Sequence, residues 1–253
     1  MALLSNLLRS KNLDLPYGTI LFVLNCLIVT IPLLFFPVHS LFAPNPAKNQ
    51  FLQFLICQFG HGGPNLPTWY HLVPNLLGII IIGFLVERSM GTTRYILLLA
   101  SAYLAVIAYC ILVNKYGLGS SGLLFSYWPF MIAILYQEWK ERKRQAFKDL
   151  KFLFLLFLNI FAPISSIVTW TPLWSFTNIV HFIGILTGGL LLFIWRNPYF
   201  SNLDTISQGD KEEIIFDEFT SSHFYKKIAI IAFSTLLLCN IVIVGGIMLL
   251  YVL

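Results

Sequence analysis

Seven runs of apolar residues, at 20–36, 70–85, 95–113, 122–136, 152–168, 176–195 and 228–253, divide the chain. Most have the length that a helix needs to cross a hydrocarbon core about 30 Å thick. With 58% hydrophobic and 11% charged residues, the chain departs far from a soluble domain. An all-α, multi-pass integral membrane protein follows. No small-residue cleavage site comes after the first run, which reads as a retained helix rather than a signal peptide.

Lysine and arginine set the expected orientation. With the N-terminus in the cytoplasm, only Lys48 and Lys115 of the 16 Lys and Arg fall outside. Seven spans then leave the C-terminus outside. The net charge of +5 reflects this asymmetry, so the bilayer is the expected partner and nucleic acid is not. The four cysteines, Cys26, Cys57, Cys110 and Cys239, show no metal-binding spacing and read as packing residues. No metal or other cofactor is expected.

The outer segment 37–68 contains "FLQFLICQF", too short to span and too apolar for open water, and is expected to lie partly embedded in the interface. The stretch 197–227, with its acidic run "DKEEIIFDE", reads as a solvated cytoplasmic linker to the seventh span. No internal repeat points to a transporter of two halves.

The fourth run is short. A helix over 122–136 covers about 22 Å, too little to cross unless it starts below the outer surface. Non-helical backbone such as "GLGSS" before it is tolerated at depth only beside protein or a water-filled cavity.

Spans two, four and six run from outside to inside in this topology, and each carries polar residues near its outer end. They are His71 and Asn75 in "HLVPN", Ser120 and Ser121 in "GSSG", and Asn178 and His181 in "TNIVHFIGILTGG". Such residues are costly in a membrane and face an interior, which makes their shared depth the mark of a site. Gly184 and Gly188 form a small-residue stripe on nearly the same face as His181, and Gly122 and Ser126 form another just after Ser121. Stripes of this kind let two helix backbones approach closely.

All eleven acidic residues map to the inner side or to inner helix ends. That leaves no carboxylate for an aspartyl protease or a Ser-His-Asp triad, and a zinc protease would show HExxH or similar, which the chain lacks. A hydrolase built from these residues is a serine–histidine dyad. A channel or transporter lacks a charged midplane pathway.

The ordered set "HLVPN", "ERSMGTTR", "GSSG" and "HFIGILTGG" resembles the rhomboid family of intramembrane serine proteases. The resemblance implies a six-helix catalytic core over 1–196, with an extra seventh helix over 228–253. It implies Ser121 as nucleophile and His181 as general base, with His71, Asn75 and the Ser121 N–H meeting the oxyanion. Gly119, Gly122, Phe125, Asn178, Gly184 and Gly188 are the supporting residues. It further implies cleavage of single-span membrane proteins near their outer boundary. The alternative is an inactive relative that binds or escorts membrane clients. Separately, the abundance of Ile, Leu, Phe, Asn and Lys fits an AT-rich genome, and a bacterial inner membrane is the default location.

Four features bear on the match. Pro74 removes a backbone donor, which suits a second helix that effectively starts near it. Leu52 and Gln53 stand where the family has a Trp-Arg pair. Phe125 replaces a tyrosine, and is expected to pack on the imidazole of His181. Glu87, Gly91 and Arg94 match the family's inner turn and read as structural, through capping or ion pairing.

Overall fold

The computed structural model describes residues 3–9, 15–35, 57–61, 68–115, 119–168 and 175–208, together with Ile231 and Leu238. Most of the outer segment, Leu52 and Gln53 included, lies outside the described residues, as do 116–118 of the fourth-run hinge, Cys239 and nearly all of the seventh run. Every regular element among the described residues is helical. They are α1 (Leu3–Arg9), α2 (Tyr17–Phe35), α3 (68–90), α4 (Thr92–Val113), α5 (121–142), α6 (Leu150–Val168) and α7 (Phe176–Gln208). Trp69–Met90, Thr92–Val113 and Phe176–Asn197 are long and apolar enough to cross a membrane, while Tyr17–Pro32 and Leu150–Phe161 are shorter apolar helices.

Two helices depart locally from α geometry. In α5 the helix narrows to a 3₁₀ turn at Phe125–Tyr127. Pro129 has no N–H to give the Phe125 carbonyl, and the Trp128 N–H takes that carbonyl one residue earlier. In α3 a π-helical turn at Ile79–Gly83 follows Gly78. A Cβ on Gly78 would lie 2.7 Å from Leu124 Cδ2, and one on Gly83 would lie 2.7 Å from the Tyr95 hydroxyl.

Pro74 lies inside α3, which starts ahead of it at Thr68, so the expected helix start near Pro74 is not what forms. The Tyr70 carbonyl loses its intrahelical donor as a result. Tyr70 is exposed there.

The end of the bundle opposite Ser121 is tied together by buried carboxylates. Glu87 accepts from the Gly18 and Thr19 N–H groups at 2.9 and 2.7 Å, and from the Thr19 and Thr92 hydroxyls at 2.8 Å each. It therefore caps the start of α2 and joins it to α4. Gly91, at φ +81°, makes the turn between α3 and α4. Glu138 accepts from the Leu4 N–H at 2.9 Å and pairs with Arg142 at 2.7 Å, capping α1 in the same way.

One element was not foreseen at this end, and one expectation changes. The N-terminal flank contains a buried helix, with Leu3, Leu4 and Leu7 fully covered. The sixth span also continues past Arg196 to Gln208, so 197–208 is helix rather than solvated linker. Its Tyr199, Leu203 and Ile206 join the same core as α1, and the Asn6 side chain donates to the Ile206 carbonyl at 2.7 Å.

Candidate active site

The fourth span starts low in the bundle because α7 and α4 receive it below their ends. Gly122 has Val180 and Val106 as its neighbours. Val106 stands two turns short of the end of α4 at Val113, or about 10 Å along the helix. Gly184 of α7 lies against the Gly122 carbonyl oxygen, and Gly188 lies against that of Ser126. The two small-residue stripes thus meet backbone to backbone, with His181 one turn above Gly184.

That packing sets Ser121 Oγ 2.8 Å from His181 Nε2. Both residues are part-exposed, whereas Ser120 beside them is fully buried. Phe125 stacks on the His181 ring, with centroids 4.3 Å apart and planes at 18°. The imidazole is held between its helix and an aromatic face.

Ser121 is the first residue of its helix, and its N–H has no hydrogen-bond partner among the described residues. Gly119 stands at φ +135°, and a Cβ there would lie 2.6 Å from His71 Cε1. Only glycine fits both demands. The His71 ring has no hydrogen-bond partner among the described residues.

Asn75 is buried, and its side-chain amide donates to the His71 carbonyl of its own helix at 2.8 Å. One of its two N–H donors is therefore spent locally. Asn178 is buried in the first turn of α7, where its backbone N–H reaches the capping Ser175 hydroxyl at 3.3 Å.

One residue escaped the sequence reasoning. His61, from the outer segment, bonds to Ser120 Oγ at 3.0 Å, and its ring meets that of His71 edge-on with centroids 5.1 Å apart. The outer segment holds two histidines, His39 and His61, and the one between glycines in "FGHGG" was the available signal. The acidic residues Glu87, Glu138, Asp149 and Asp204 make their hydrogen bonds at the opposite end of the bundle.

A model of the Rhomboid domain matches residues 48–198. The chain belongs to the rhomboid family. No curated protein and no solved structure matches it in addition. The rhomboid match covers the described part of the outer segment and α3 to α6, and most of α7, including every candidate residue named above.

Proposed function

We propose that this rhomboid is an intramembrane serine endopeptidase that cuts the membrane segments of single-span proteins near the outer face. The observation that carries the proposal is the 2.8 Å contact between Ser121 Oγ and His181 Nε2, made by residues from two separate spans. An alcohol is a weak nucleophile until a base takes its proton, and His181 is within reach to do so. Ser121 Oγ then attacks the scissile carbonyl, and the proton held by His181 passes to the leaving amine. Water hydrolyses the acyl-enzyme by the same steps in reverse.

The tetrahedral oxygen would meet the Ser121 N–H, the His71 ring and the second N–H of the Asn75 amide. Losing one such donor typically costs about 100- to 1000-fold in rate. Stacking on Phe125 helps to orient the His181 ring toward Ser121. The Lys and Arg distribution supports placing the Ser121 end away from the cytoplasm.

The test is a fluorophosphonate probe on the purified protein in detergent. Labelling that vanishes in Ser121→Ala, falls in His181→Ala and persists in Ser120→Ala is expected. A wild-type protein that never labels yet binds a single-span client would establish a non-catalytic role instead. Labelling lost in Ser120→Ala but kept in Ser121→Ala would make Ser120 the nucleophile and overturn the assignment to Ser121.

A further inference from the structure

Two serine–histidine pairs lie side by side in this fold, and only one is open to a substrate. Ser120 and His61 are both fully buried. His61 Nε2 lies 3.0 Å from Ser120 Oγ and 3.3 Å from the Ser120 backbone nitrogen. A backbone N–H can only donate, so Nε2 carries the lone pair. Nδ1 lies 3.1 Å from the Phe59 carbonyl, which can only accept, so Nδ1 carries the proton.

Thr30 completes the set. Its hydroxyl accepts from the His61 N–H at 3.2 Å and donates to the Phe59 carbonyl at 3.1 Å. The ring is thus fixed in one neutral tautomer, and burial, with His71 nearby, pushes its pKa down to about 3. An imidazole held this way grips its neighbours and does not exchange protons with them.

What it grips is the backbone that leads into Ser121. The Gly119 N–H donates to the Cys57 carbonyl at 3.2 Å, so the 57–61 segment holds residues 119 and 120 at two points. The other side of the His61 ring packs edge-on against His71. We propose that His61 is a positioning residue, which fixes the 119–121 turn and the His71 ring so that their donors converge on one point. This inference rests on the endopeptidase reading, since those donors matter only if an oxyanion forms between them. A group displaced by about 1 Å at a reacting centre can cost on the order of 100-fold.

The experiment uses the full chain, with His61→Ala, His61→Gln and Ser120→Ala as variants. It reads kcat and KM on a fluorogenic single-span peptide in proteoliposomes, the thermal midpoint, and the ³¹P shift of the fluorophosphonate adduct on Ser121. The expected result for His61→Ala is a kcat about 100-fold lower, a KM within about 3-fold of wild type and a displaced ³¹P signal. Ser120→Ala, which keeps the backbone bond to Nε2, is expected to lose about 10-fold in kcat. His61→Gln, able to accept from Ser120 through its amide oxygen, is expected to recover part of the loss.

A His61→Ala protein with wild-type kcat and an unshifted ³¹P signal, whatever its thermal midpoint, would overturn the inference and leave the endopeptidase reading standing. Should His61→Ala fail to fold, an unchanged kcat in Ser120→Ala would overturn it equally. A wild-type protein that neither cleaves nor labels removes the endopeptidase reading, and the inference falls with it.

Discussion

Gly184 on α7 lies directly against the carbonyl oxygen of Gly122 on α5, and this backbone contact brings the spans of Ser121 and His181 together. A Cβ at 184 would meet a main-chain oxygen that cannot rotate away. Gly188 faces the Ser126 carbonyl in the same manner, while a Cβ on Gly189 would meet only Pro129 Cγ at 4.0 Å. Alanine gains roughly 1 kcal/mol in helix propensity at any of these sites, and overpacking costs about 1–3 kcal/mol at the first two. Gly184→Ala and Gly188→Ala are therefore expected to lower the thermal midpoint in detergent and to reduce cleavage. Gly189→Ala is expected to leave stability unchanged or raised.

At the other end of the bundle, Glu87 receives four hydrogen bonds and holds the first turn of α2 to the start of α4. Alanine there would leave the Gly18 and Thr19 N–H groups buried without an acceptor, at about 1–3 kcal/mol. Glu87→Ala should lower the thermal midpoint more than Glu87→Gln, whose single amide oxygen keeps part of the cap. Both should leave the KM of the surviving folded protein near wild type, because Glu87 touches nothing at the Ser121 end.

The legible parts of this molecule were those encoded by nearest neighbours along a helix. Hydropathy runs marked the spans, and the 184/188 and 122/126 spacings marked the faces that meet, because steric size is written directly in glycine and serine. Ser121 and His181 could be paired from motif and depth, since each needs only its own helix to set its level. Long-range hydrogen bonds were not readable. A capping role for Glu87 was expected, but not its partner, a helix that starts nearly 70 residues earlier in the chain, and His61 reaches Ser120 across 59 residues. The Asn75 rotamer depends on a local acceptor, the His71 carbonyl, which competes with any role facing the site. The continuation of α7 was readable in principle. Tyr199, Leu203 and Ile206 keep helical spacing, but the polar residues between them dilute the hydropathy of that stretch.

Acid should loosen the outer segment in a defined window. The ordinary histidine value of 6.5 applies to the unfolded chain, and the folded value of His61 is about 3. Below pH 6.5 the unfolded state takes up a proton that the folded state refuses, so this group's contribution is complete above 6.5 and shrinks as pH falls toward 3. The slope is about 1.4 kcal/mol per pH unit within the window. Thermal midpoints measured from pH 7 to pH 4 should fall more steeply for wild type than for His61→Gln, which has no proton to gain. Parallel curves for the two proteins would show that His61 is not held as the fold describes.

Gly119 is where backbone conformation and side-chain packing make the same demand. At φ +135° it occupies a region that an L-residue enters only under strain, and its missing Cβ leaves the space that His71 Cε1 and Nε2 fill, at 2.6 and 2.8 Å from where that atom would be. Gly119→Ala must therefore either twist the turn before Ser121 or push the His71 ring aside. Both movements displace groups proposed to meet the oxyanion, and neither alters the Gly184–Gly122 contact that sets Ser121 beside His181. The expected outcome is a fall in kcat of about 100-fold or more with a thermal midpoint lowered by only a few degrees. Steady-state kinetics in proteoliposomes and thermal unfolding in detergent measure the two together. A variant with wild-type kcat would mean that the turn and the His71 ring can shift without touching catalysis, and would remove His71 from the proposed machinery.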